Sequence, residues 1–346
     1  MGLTVLSPRA VETPTLIERF IGLVRLPNPL AVLFWALILG SPTYFLVEYL
    51  VKGKSTFDIG NLGNESLFVL VPFYLFFMVG YMRKKVVAAE APIVPRLAGG
   101  EADYHNAFGN VTSTIPVILL SALLSPIALS ASFGDFKPET AGLAIYDVFS
   151  TYLSGLAFST YLWMFANASL GIYKLGRSSL KLGPYLEERM RGAKPLGNLA
   201  LSLTAAYYGG VLLLILLFYG NIGTNMPLQA YFATILVLGI ALFLLPLNII
   251  HKKMQEEKHA LLREIGARYS QLNHTTNPRA ENASLDDVRH ELTRLADLQQ
   301  LEILDRKVSA LPTWPFDIQV VSKFITIVLS VTAVLLSRVI TGFLHI

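Results

Sequence analysis

Seven apolar stretches, at about residues 30–51, 66–82, 114–132, 143–172, 199–220, 228–250 and 319–343, take up most of this chain. Each has at least the ~17 residues that a helix needs to cross a bilayer's hydrocarbon layer. The segments between them alternate in charge. Arg9, Arg19 and Arg25 precede the first stretch, and Arg83, Lys84, Lys85 and Arg96 follow the second. Lys174, Arg177, Lys181, Arg189, Arg191 and Lys194 follow the fourth, and the connection after the sixth is basic from His251 onward. The other connections hold only Lys52 and Lys54, then Lys137, then no basic residue between Gly220 and Leu228. Cytoplasmic loops are the basic ones, so the pattern predicts an N-terminus inside and a C-terminus outside.

Composition points the same way. With 53% hydrophobic and 15% charged residues and a mean hydropathy of +0.52, the chain is too apolar to be a soluble protein. Its backbone polar groups must be bonded within membrane helices. The expected fold is therefore an all-α, polytopic integral membrane protein of the cell membrane with about seven transmembrane helices. The net charge of +4 comes from loops facing anionic head groups, so membrane lipids, and not nucleic acid, are the expected partners. The absence of cysteine removes disulfides, thiol nucleophiles and thiolate metal sites. No short apolar core with a cleavage site opens the chain, so the first span is expected to be retained. Residues 14–26 mix Leu16, Ile17, Phe20, Ile21 and Leu23 with Glu18, Arg19 and Arg25, the pattern of an amphipathic helix at the cytoplasmic interface.

Three segments leave the membrane pattern. Residues 83–110 read as a cytoplasmic loop with a short surface helix, and 173–197 as a basic linker broken by glycines and prolines. The third is a predicted cytoplasmic helical hairpin at 251–311, which divides the chain into 1–250, 251–311 and 312–346. Its descending arm continues the sixth span without proline to about residue 271, followed by a polar turn at 273–283. Ser284, with Asp287 three residues on, starts the return arm as a capping-box variant. Leu285, Val288, Leu292, Leu295, Leu298, Leu301, Leu304, Val308 and Leu311 recur every three or four residues and are assigned to one apolar face. Met254, Leu261, Leu262, Ile265 and Leu272 supply the facing side. Val288, Leu292, Leu295 and Leu301 are the candidates for holding copies of the chain together. Pro312, Trp314 and Pro315 mark the break where the chain re-enters the bilayer.

The seventh span carries the most pointed functional signal. Ser322, Thr326, Ser330, Ala333, Ser337 and Thr341 succeed one another at steps of four or three, a small, hydroxyl-bearing stripe along one side. Packed against another helix, such a stripe permits close approach and hydrogen bonds; repeated around an oligomer axis, it lines a water-filled pore. Ser322, Thr326, Ser330, Ser337 and Thr341 are thus pore-lining candidates. Lys323 and Arg338, near the two ends, either reach to head groups as anchors or form rings that select anions.

Other chemistry is thinly represented. A lysine in the last of seven spans invites comparison with retinal proteins, but Lys323 lies about two turns from Trp314, too close to the membrane surface for a buried Schiff base. His251, Gln255 and His259 share a helical face, yet an amide is a poor ligand and histidines two turns apart do not readily share an ion, so no metal is expected. Tyr146 and Asp147 lack a second aspartate on a separate helix for shared-proton chemistry. No phosphate-binding glycine loop, HExxH pair or GxSxG elbow occurs. Asn167, Ser150, Ser154, Ser159 and Thr160 are interhelical hydrogen-bond candidates, and Pro42, Pro72, Pro116, Pro126 and Pro246 are candidate kinks. No carboxylate is central in a span, which disfavours a proton-coupled carrier. Neither an enzyme nor a cofactor is expected.

The stretches GRSSLKLGP at 176–184, GAKPLG at 192–197 and LPTWPFD at 311–317 resemble a poorly characterised group of prokaryotic polytopic membrane proteins. In architecture, though not in sequence, the layout is similar to seven-span insect chemoreceptor channels. That resemblance implies a last span lining the pore of a tetramer and cytoplasmic helices that join subunits. The combined expectation is a homo-oligomeric ion channel with the last span near its axis, anion-preferring if its charges face that axis. The alternative is a membrane sensor or scaffold whose hairpin binds a partner, and a secondary transporter or membrane enzyme comes third.

Overall fold

Apolar runs of this length bond their own backbone internally, and no strand occurs among the described residues. The computed structural model describes residues 13–57, 62–133, 141–177, 194–223, 225–274, 285–314 and 318–344. The first helix, α1 (Leu16–Ile21), opens on a capping box in which the Thr15 hydroxyl accepts from the Glu18 N–H and the Glu18 carboxylate accepts from the Thr15 N–H. Arg83 donates to the same carboxylate at 2.8 and 2.9 Å, while Ile17 and Ile21 are buried. The helical part of the expected 14–26 segment is thus six residues, fastened to the protein body by its apolar side and its one acid.

The first apolar run is two helices, α2 (Asn28–Leu39) and α3 (Ser41–Lys52), bent by 44° at Gly40. Pro42 has no N–H, so the Ile38 carbonyl finds no donor four residues on. Side-chain hydroxyls replace the missing donors. Thr43 donates to the Leu37 carbonyl at 2.9 Å, Tyr146 to Ile38 and Gly40 at 3.1 and 2.9 Å, and Ser150 to Leu39 at 2.9 Å. A break inside an apolar span is tolerated where protein satisfies the freed backbone in this way.

The centre of the molecule is made by α4 (Leu62–Ile93), α7 (Ala141–Arg177), α8 (Lys194–Leu217) and α10 (Met226–His274). α5 (Glu101–Phe108) and α6 (Thr114–Phe133) lie on α7, and α9 (Tyr219–Ile222) turns the chain between α8 and α10. Tyrosines cross-link these helices. Tyr74 and Tyr161 both donate to the Ala206 carbonyl at 2.8 Å, and Tyr207 and Tyr208 donate onward to Ile235 and Leu236 at 2.9 Å. Gly209, Gly210 and Gly239 lie against the rings of Tyr74, Tyr161 and Tyr207, where a Cβ would collide. Small residues and interhelical hydrogen bonds are what hold helices together where the surroundings are as apolar as leucine. On α5, Tyr104 is fully buried and donates to the Val86 carbonyl; burial pushes its phenol well up, so it stays the protonated donor.

Among the described residues five helices, α4, α7, α8, α10 and α12 (Ile318–Phe343), are long and apolar enough to cross a membrane, and the bent pair α2–α3 makes a sixth if it is counted as one span. α6 is apolar over the shorter stretch Thr114–Pro126. α10, with 49 residues, is ~73 Å long at 1.5 Å per residue, so its polar second half extends well beyond a ~30 Å hydrocarbon layer. α11 (Leu285–Ser309) runs antiparallel along that half: Arg294 reaches the Leu272 carbonyl at 3.4 Å, and Lys258 reaches the Ser309 carbonyl at 2.6 Å. The polar turn before it, with Ser284, and residues 178–193 of the basic linker lie outside the described residues.

The apolar residues of α11 do not share one face as expected. Val308 is 0% and Leu301 7% exposed, whereas Val288, Leu292 and Leu295 are open, Leu292 at 62%. The reason is arithmetic. Each step of three residues turns the line back by about 60°, and three successive steps carry it from Leu295 to Leu304, about halfway round the helix.

Candidate functional site: the outward face of the last helix

α12 packs chiefly on α8 and secondarily on α10. Val320, Phe324, Val331 and Leu335 are its buried residues, and the Phe324 ring stacks on Phe243 of α10 at 4.0 Å. At about 100° per residue these four occupy one side of the helix, and Ser322, Thr326, Ser330, Ala333 and Ser337 occupy the opposite one. All five are exposed, and Thr341 is half-buried. The stripe predicted from spacing therefore faces away from the protomer, flanked by the exposed Ile325, Leu329, Leu336 and Ile340.

Four of the hydroxyls on this face are bonded locally. Thr326 and Ser330 donate to carbonyls four residues back at 2.9 and 2.7 Å, and Ser337 and Thr341 to carbonyls three back at 2.9 and 3.0 Å. The protons of these four hydroxyls are thus satisfied within the helix, while their oxygens keep lone pairs free to accept. Such a face tolerates lipid, packs against a second helix, or accepts from water.

The two charges differ. Lys323 is exposed on the same side as the hydroxyls and has no ion pair or hydrogen bond among the described residues. Arg338 is engaged: its Nε donates to the Tyr219 carbonyl at 2.6 Å, its second nitrogen to Gly220 at 3.1 Å, and its guanidinium lies 4.9 Å from the centre of the Tyr219 ring. Those carbonyls belong to the first two residues of α9, the short turn that follows α8. Gly342 rests directly on Gly223 next to them, with no room for a Cβ. Arg338 accordingly fixes the C-terminal end of α12, a role its spacing alone does not reveal. No family model, curated protein or solved structure matches this chain.

Of the four residues expected to join copies, Val288, Leu292 and Leu295 form an open apolar patch on the N-terminal half of α11, and Leu301 is turned inward. His251, weighed above as a metal ligand, stacks on Trp314 with ring centres 4.1 Å apart and planes 12° apart, and its Nδ1 lies 2.8 Å from the Thr313 carbonyl. The candidate interhelical donors Ser150 and Thr160 bond backbone carbonyls, Ser150 across to α2 and Thr160 within its own helix. Tyr146, singled out for its neighbour Asp147, is a capping residue of the α2–α3 break.

Proposed function

We propose that the protein is a homo-oligomeric ion channel of the cell membrane, with the outward face of α12 turned toward the symmetry axis. In this reading the seven apolar runs span the bilayer with the N-terminus in the cytoplasm, as the alternation of Lys and Arg demands. α10 and α11 then form a cytoplasmic hairpin, whose open patch of Val288, Leu292 and Leu295 meets other copies. One observation carries the reading: the hydroxyl row lies on the side of α12 opposite its buried residues. A row of this kind, repeated about an axis, offers oxygen lone pairs to water along the length of a span and so keeps the path wet, leaving the choice of ion to the charge at its mouth. Lys323 supplies positive charge at the cytoplasmic mouth and favours anions, whereas Arg338 is occupied by the Tyr219 and Gly220 carbonyls.

Purified protein in liposomes under a chloride gradient is expected to pass current. Thr326→Trp should lower the conductance, and Lys323→Glu should move the reversal potential away from that of chloride. A folded protein that passes no current, a conductance indifferent to bulk at both Thr326 and Ser330, or a monomer in lipid would each overturn the reading. The second reading, a membrane sensor or scaffold, is favoured by the Val288–Leu292–Leu295 patch, which fits an apolar helix of another protein equally well. It predicts self-association and conductance to be absent together.

A further inference from the structure

At about 100° per residue, Arg294, Leu301, Leu304 and Val308 centre on the side of α11 that meets α10. The opposite side is a row of Val288, Leu292, Leu295, Ala296, Gln299 and Ile303, all exposed, Leu292 at 62% and Ile303 at 49%. From Val288 to Ile303 the row is about 22 Å long. Leu292 and Ile303 are eleven residues apart, close to three full turns, so the row stays on one side of a nearly straight helix. Its flanks differ in charge. Arg289 and Lys307 lie about 60° to one side of Leu292, and Glu291 and Glu302 about 80–100° to the other. Arg294 and Arg306 bond these two carboxylates along the helix at 2.7 and 3.1 Å, which leaves each acid further lone pairs to offer.

A second copy of this chain fits that surface in one direction. Two such rows laid antiparallel set like flanks together, bases on bases and acids on acids, and place Gln299 against Leu292. Laid parallel and in register, they set each basic flank on an acidic one. Glu302 then meets Lys307 of the second copy, five residues further on, the offset between facing g and e positions of parallel helices. Gln299 meets its own counterpart, and because an amide both donates and accepts, the pair satisfies itself within an apolar row. We infer that the open side of α11 binds α11 of a second copy as a parallel, in-register helix pair, with Gln299 on Gln299 and Glu302 on Lys307. This rests on the oligomer proposed above, whose copies share one orientation in the membrane, and not on conduction by its pore.

The chain has no cysteine, so single thiols report the arrangement. Val288→Cys and Ile303→Cys, at the two ends of the row, are each made in the full-length protein, reconstituted in liposomes and mildly oxidised. Asp297→Cys, exposed on another side of α11, measures chance collision. Each end is expected to link to itself several-fold above Asp297→Cys, and the two variants reconstituted together to give no mixed dimer above that level. Glu302→Lys should lower the Ile303→Cys yield several-fold, and Lys307→Glu added to it should restore the yield. All of these positions are exposed, so the packing of α11 on α10 is untouched. A mixed dimer that exceeds the self-linked ones means antiparallel helices and overturns the inference. Self-linking at one end only, or at neither, overturns it too, the latter being the result for a helix that binds another protein. A yield indifferent to Glu302→Lys does the same. Failure at α11 while Ser330→Cys still links leaves the channel reading standing, whereas links at both ends of α11 without current defeat that reading alone.

Discussion

Arg338 and Lys323 lie fifteen residues apart on one helix, and their surroundings give them opposite roles. The Arg338 guanidinium donates to two carbonyls of α9 and covers a tyrosine ring. Removing the charge takes away two charge-assisted hydrogen bonds at an exposed site, a loss on the order of 1 kcal/mol. Arg338→Gln is therefore expected to lower the thermal unfolding midpoint in detergent, and Lys323→Gln, which removes no bond, to leave it unchanged. Equal losses for the two variants would contradict this division. The hydroxyls between them show why spacing alone left two readings open. Thr326 and Ser330 bond their own helix whether the face meets lipid, protein or water, so their pattern in the sequence is the same in all three cases.

At the level of elements, two helices depart from what periodicity suggests, for different reasons. Pro42 marks the first apolar run as kinked, and the structure bends it at Gly40. What the chain alone does not display is that the freed carbonyls are met by Tyr146 and Ser150, more than a hundred residues away. In α11 the information was present in the chain. Steps of three from Leu292 to Leu304 rotate the apolar line around the helix, and counting angles instead of steps separates an outer patch from an inner one. The two patches respond differently to charge. Val308→Asp buries an unpaired carboxylate and should detach α11 from α10, seen as faster amide exchange along α11. Leu292→Asp should leave that exchange unchanged and weaken self-association, measured as a fall in mass by light scattering. If Leu292→Asp also frees α11, the patch belongs to the protomer's own packing.

For the molecule as a whole, the prominent open surface is the side of α12 that the rest of the chain leaves exposed. A thiol placed there tests whether copies meet. Ser330→Cys, in a chain without other cysteines, should cross-link between protomers in lipid, and Val331→Cys, whose position is buried against the protein, should not. Equal cross-linking at both positions would mean that Val331 is not covered by its own chain.

The sequence by itself determined that this protein is built from apolar helices, where those helices run and which stripe of the last one bears hydroxyls. Hydropathy and hydrogen bonding along a helix are local properties, set within a few residues of each position. Only the tertiary structure decided which side of each helix meets protein. The hydroxyls of α12 face outward because Val320, Phe324, Val331 and Leu335 fit α8 and α10 on the other side. Arg338 is a clamp because Tyr219 and Gly220, far off in sequence, present their carbonyls to it. A polar group on an apolar helix takes its role from whichever acceptor or donor the fold brings within ~3 Å, and such partners are fixed by packing between distant segments.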